Sequence, residues 1–137
     1  MPTRSVIIIL ADGARFDVMR DLMQKQQLPH ISENLPHLRE GTTAFPSTTG
    51  PAYLPYLAGC YPGTCNVPGI RWFDKDAYAR GMFFHKKFRS YVGAETFFMS
   101  HDIRDGIQTI FELVPNAHNI SNGITRGVKR RNNRTGF

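Results

Sequence analysis

The chain has 137 residues, enough for one domain with a real core and too few for two. Hydrophobic residues at 41% and aromatics at 12% exclude wholesale disorder. The net charge of +6 is concentrated at one end: Arg126, Lys129, Arg130, Arg131 and Arg134 fall in the last twelve positions with no acid among them, and the remaining 12 basic and 11 acidic residues nearly cancel.

Residues 5–11 (SVIIILA) are a β-branched, near-continuous apolar run, which predicts a strand covered on both faces, as in a parallel sheet. The longest apolar stretch in it, Val6 to Ala11, is six residues, too short for a signal segment or a membrane span, so cytoplasm is the default and a membrane partner is not expected. Asp12-Gly13 ends the strand. Phe16, Met19, Leu22 and Met23 then recur at helical spacing, predicting a helix over 14–26. Residues 28–41 read as a loop and a short helix closed by Gly41, and 42–46 (TTAFP) as a second strand that stops where Pro46 removes a backbone donor.

After Thr49, GPAYLPYLAG predicts a helix of about two and a half turns, with Pro51 tolerated in its first turn and Pro55 kinking it. Residues 60–76 are a Gly- and Pro-rich loop. Cys60 and Cys65 are the only cysteines, too few for a disulfide framework or a structural zinc site. Helices are expected around 92–100 and over 107–114, and a strand within 117–121. Asn119-Ile-Ser121 and Asn133-Arg-Thr135 match the glycosylation tripeptide and, without a secretion signal, read as chance. The order β-α-β-α predicts an α/β fold with a mainly parallel sheet and helices on both faces. Residues 1–128 form its body and 129–137 a basic tail. Such a tail can bind nucleic acid or an anionic membrane, although solvated surface is the commoner explanation.

Two positions carry chemistry. Asp12 follows the first strand directly, and the carboxyl ends of parallel strands are where ligands bind, so this carboxylate is a candidate metal ligand. The plainer alternative is an N-cap for the helix beginning near Ala14. In Phe45-Pro-Ser-Thr-Thr-Gly-Pro a strand runs into hydroxyl residues and then a helix, placing Thr48 or Thr49 where orphan N–H groups converge, a place for phosphate. A threonine hydroxyl is a poor nucleophile until a base or metal takes its proton. The alternative is again an ordinary cap.

The stretches VIIILADGARFD (6–17), LPH…LREG and FPSTTGPAYLPYLAGCYPGTCNVPGIRWFD (45–74) together resemble the alkaline phosphatase superfamily, and within it the type I phosphodiesterase/nucleotide pyrophosphatase branch. The likeness is strong over 5–74 and thinner to about 128. It implies an alkaline-phosphatase-like fold, with Asp12 matching the strand-end metal-ligand aspartate. It also implies that Thr49 is the nucleophile and itself a metal ligand, because Gly59-Cys-Tyr-Pro62 matches a motif whose glycine follows the family's nucleophile by ten residues, and ten before Gly59 is Thr49 rather than Thr48. The implied reaction is hydrolysis of phosphodiester or nucleotide pyrophosphate bonds through a phospho-threonine intermediate. Two divalent cations would assist it, zinc being the usual metal, and the partner is a small phosphate ester or nucleotide.

The chain also departs from that pattern. Members often carry His-Gly-Ile after the Tyr-Pro motif, where this chain has Cys65-Asn66-Val67. The family's phosphate-touching asparagine falls near Ile70 and Arg71. Arg71 can replace it as a bidentate donor, or is simply a surface arginine beside Trp72. The family's further metal ligands include an Asp-His pair; this chain has only His101-Asp102, in reversed order and better read as a helix-end feature. His30, His37, His85 and His118 are scattered without ligand spacing. The resemblance therefore implies an N-terminal fragment carrying half of the active site. The competing reading is a catalytically inactive chain that acts, if at all, as a binding module through its basic tail.

Overall fold

The computed structural model describes residues 5–35, 37–80 and 87–134. Their contacts divide the chain into two compact units, Met1–Thr42 and Thr43–Phe137.

In the first unit the apolar run at 5–11 is not a strand. Val6, Ile7 and Ile9 are each at least 80% exposed. A strand exists only through its ladder partners, and no described residue pairs with this run, so its β-branched side chains have no sheet to join. The chain turns at Asp12-Gly13, where Gly13 adopts φ 72° and the Ala14 amide donates to the Ala11 carbonyl. Helix α1 spans Phe16–Gln24. Phe16, Met19, Leu22 and Met23 form its half-buried face, as their spacing predicts, and no residue of it is fully buried. The Arg15 guanidinium reaches back onto the Asp17 carboxylate in the first turn at 2.6 Å. Helix α2, Pro29–Asn34, opens on a proline whose missing N–H costs nothing there. The strand expected at 42–46 is also absent, and Phe45 is left 92% exposed.

The second unit has a core. Leu54, Leu57, Cys65, Val67, Tyr91, Met99, Ile103 and Ile124 are buried together, with Tyr53, Trp72 and Phe111 packed against them. The helix after Thr49 forms as a 3-10 turn over Pro51–Tyr53 running into α3, Leu54–Ala58. Pro55 falls in the first turn of α3, so it marks a change from 3-10 to α geometry instead of a mid-helix kink. Gly59 ends α3 in the left-handed conformation, φ 63°. Cys60 and Cys65, passed over in the sequence as too few to form a framework, are joined by a disulfide across the loop that follows. Short-range cysteine spacing cannot reveal that Gly59 turns the chain back on itself.

Strand β1 (Arg71–Phe73) and strand β2 (Phe88–Ser90) pair antiparallel, with Trp72 opposite Arg89, and α4 (Lys75–Ala79) lies between them in sequence. Asp74 caps α4 by accepting from the Ala77 amide at 2.8 Å. The helix expected around 92–100 appears as a 3-10 segment, Gly93–Phe98, followed by α5, Met99–Asp102. That expected over 107–114 shortens to α6, Ile110–Leu113, held by a capping box between Thr109 and Glu112. Strand β3 (Asn119–Ile120) lies in the expected segment and pairs in parallel with β4 (Asn133–Arg134), which follows a 3-10 turn at Arg130–Asn132. Asn119 is buried, its amide donating to the Asn122 carbonyl and to Asn133 Oδ1 at 2.8 Å each, so that glycosylation tripeptide is closed off in this fold. The described residues thus contain helices and two two-stranded sheets, not the large parallel sheet with helices on both faces that the sequence predicts. The two long runs expected to build that sheet are the ones left unpaired.

Candidate active site

Thr49 sits in the turn that feeds the 3-10 helix, exposed, immediately before a buried Gly50-Pro51 pair. The turn is held from both sides. The Ala52 amide donates to the Thr48 carbonyl and the Tyr53 amide to the Gly50 carbonyl, both at 3.0 Å. Gly50 adopts φ 93°, and a Cβ there would lie 2.5 Å from Cε of Met99, a core residue at the start of α5. Only glycine meets both conditions, so the backbone entering the helix is seated directly on the core while Thr49 faces outward. Thr48 has the opposite character: its Oγ1 is buried and makes no hydrogen bond. Of the two adjacent threonines, only Thr49 is exposed.

Asp12 is exposed at the turn before α1. The N-cap of that helix is Arg15, which makes no side-chain cap bond. Asp12 does not close a strand, because the residues before it form none. Asp12 belongs to the first unit and Thr49 to the second. Arg71 is exposed at the first position of β1.

His101-Asp102 is a helix-end feature, occupying the last two positions of α5. Asp102 is also the centre of a clasp that the sequence did not reveal. Its Oδ2 accepts from the Tyr91 hydroxyl at 2.7 Å, its Oδ1 faces Arg89 at 3.5 Å, and the Tyr91 oxygen accepts from the Trp72 indole at 3.1 Å. Burial, reinforced by the bond to Asp102, pushes the Tyr91 hydroxyl well above the usual tyrosine range, so it remains a donor. Arg89 continues the chain to Asp74 at 3.1 Å. The Ala77 amide and, after it, Arg89 hold the Asp74 carboxyl below its ordinary value. These carboxylates are committed to protein partners, which ties β1, β2, α4 and α5 together.

No group of three or more His, Cys, Asp or Glu side chains among the described residues could hold a metal ion. His85 lies outside the described residues. Asp12 and Thr49 between them offer too few donors for two cations, each of which needs four or more ligands. The residues present therefore do not fit a two-cation centre by themselves.

Residues 6–111 match the family model described as Type I phosphodiesterase / nucleotide pyrophosphatase. No curated protein and no solved structure matches the chain. The matched span takes in Asp12, the Thr49 turn, the disulfide loop and the clasp, and stops within α6.

Proposed function

Because the chain belongs to the type I phosphodiesterase/nucleotide pyrophosphatase family, we propose that it derives from a hydrolase of phosphodiester or nucleotide pyrophosphate bonds, with Thr49 as its nucleophile. The observation that carries this reading is the Thr49 turn: an exposed threonine directly before Gly50, which rests against the core at the start of a 3-10 turn. In the reaction Thr49 Oγ1 loses its proton to a base and attacks phosphorus. A Thr–O–P bond forms as the bond to the leaving alcohol or phosphate breaks, and the leaving oxygen departs with its electron pair. Water then cleaves the phospho-threonine and restores the hydroxyl.

The family's metal dependence makes Asp12 a proposed cation ligand and Thr49 a second, with zinc the proposed metal. Arg71 is proposed to meet the phosphate as a bidentate donor. Because these residues fall short of a two-cation centre, the remaining ligands have to come from outside the described residues, and turnover by the 137-residue chain alone is expected to be slight or absent. The Cys60–Cys65 bond supports an oxidising compartment in preference to the cytoplasmic default, since such bonds persist where thiols are not kept reduced.

The test is covalent. The chain is incubated with a nitrophenyl phosphodiester and zinc, quenched in acid and mapped by mass spectrometry. The expected result is a small phosphoryl label on the peptide containing Thr49, lost in Thr49→Ala. Label on Thr48, or nitrophenol release that survives Thr49→Ala, would remove Thr49 from the mechanism. A complete absence of label would favour the second reading, an inactive chain that only binds. That reading draws on the lack of a metal cluster among the described residues.

A further inference from the structure

Residues 113–134, which follow the family match, form a folded cationic module. From 113 to 137 the sequence contains no Asp or Glu and carries five Lys or Arg. Arg126 is committed to the Glu112 carboxylate at 3.2 Å and to the Ile103 carbonyl at 3.0 Å. Lys129, Arg130, Arg131 and Arg134 are exposed and make no ion pair among the described residues.

Asparagines brace the backbone that carries these cations. Asn119 bonds to Asn133, the Asn132 amide donates to the Ala117 carbonyl at 3.1 Å, and the Ser121 amide donates to the Arg134 carbonyl at 2.8 Å. The pairing has a consequence for side-chain direction. Asn119 and Asn133 are ladder partners whose side chains meet on the inner face. Alternation along a strand therefore turns the next pair, Ile120 and Arg134, to the outer face, where both are exposed. Ile120 is 75% exposed. A second apolar–cationic juxtaposition lies nearby in sequence. Leu113 and Val114, both exposed, line one hollow of about 220 Å³ with Phe111, Glu112 and Lys129, whose ammonium is anchored on Asn116 Oδ1 at 3.3 Å.

Exposed aliphatic side chains set beside cations that make no ion pair among the described residues match the charge and the layering of a lipid interface, and the acid at the hollow, Glu112, is paired with Arg126. Nucleic acid fits less well. Residues 113–134 contain no Phe, Tyr or Trp to stack on bases, and Ile120 and Leu113 would stay in water against a phosphate backbone. We propose that the Lys129–Arg134 module is a peripheral docking surface for an anionic phospholipid bilayer, with Arg130, Arg131 and Arg134 on headgroup phosphates and Ile120 entering the headgroup–acyl boundary.

Co-sedimentation of the full chain with vesicles tests this. Vesicles of phosphatidylcholine containing roughly a quarter phosphatidylglycerol should pull the chain down, and pure phosphatidylcholine should not. Arg130→Glu with Arg131→Glu should weaken binding by about 25-fold or more, since each cation near the surface contributes a factor of about five. Ile120→Ser should weaken it several-fold without changing the charge. Ile7→Ser with Ile9→Ser should leave it unchanged, which separates the module from the exposed run in the first unit. Equal binding to neutral vesicles, or loss of binding in the Ile7/Ile9 variant, overturns the proposal. So does retention of binding after the arginine reversals, or a preference for duplex DNA over the vesicles at equal phosphate.

Discussion

The two units use similar apolar material with opposite results. In the first, a run richer in isoleucine than any part of the second lies open, with Ile7 at 84% exposure, and α1 offers a half-buried face but no buried residue. In the second, smaller and more scattered groups such as Leu54, Val67 and Ile124 reach 1% exposure or less. Burial follows from partners, not from the hydrophobicity of a segment. A helix closes its own hydrogen bonds and persists beside few neighbours, whereas a strand is defined by another strand. The second unit also links its elements sideways, through the Cys60–Cys65 bond and the Trp72–Tyr91–Asp102–Arg89 clasp.

The contrast can be tested by substitution, beginning where the expected difference is greatest. Leu54→Ala should destabilise the second unit by about 2–5 kcal/mol, while Ile7→Ala should change stability by no more than about 0.5 kcal/mol. Urea titrations of the two variants read this directly, and comparable losses would show that residues 5–11 are packed after all. Next, the open run should make the purified chain bind a hydrophobic dye and self-associate. Ile7→Ser with Ile9→Ser should remove most of the dye signal, and an undiminished signal would place the sticky surface in the second unit. Gly50→Ala should cost about 1–3 kcal/mol, because the new methyl meets Met99 at a backbone angle L-residues avoid. A smaller companion change, Met99→Ala, should not rescue it fully, because the positive φ remains.

The smallest effect concerns acid. Asp74 has a folded pKa below its ordinary value, so its contribution is present above the unfolded value near 3.8 and is lost as pH falls through the lower folded value. Asp74→Asn keeps an acceptor for the Ala77 amide but gives up the charged tie to Arg89, so it should lose no more than about 1 kcal/mol at neutral pH and show a shallower loss of stability in acid than the parent. Parallel acid-unfolding curves would mean that the tie to Arg89 contributes nothing measurable.

What was legible in the sequence was local. The spacing of Phe16, Met19, Leu22 and Met23 marks the packed face of α1. The helix after Thr49 follows from the spacing of its residues, although it forms as a 3-10 turn and a short α3. Features that depend on a distant partner are mostly not legible, the strand at Asn119–Ile120 being an exception. The runs at 5–11 and 42–46 were read as strands from β-branched composition, which cannot say whether a ladder exists. The β1–β2 pair was missed because each strand has three residues and its partner lies well along the chain. The clasp was invisible for the same reason: Trp72, Tyr91 and Asp102 share no spacing pattern. At the candidate site, family resemblance selected Thr49, but only the structure shows Gly50 resting on Met99.

That contact couples two positions 49 residues apart in the chain. A side chain at 99 therefore has to leave room for the turn that presents Thr49, and the dependence runs one way: the φ of 93° keeps glycine at 50 whatever stands at 99. A library randomised at both positions and sorted for folding would recover this as a single row at Gly50, populated by the side chains at 99 that fit over it.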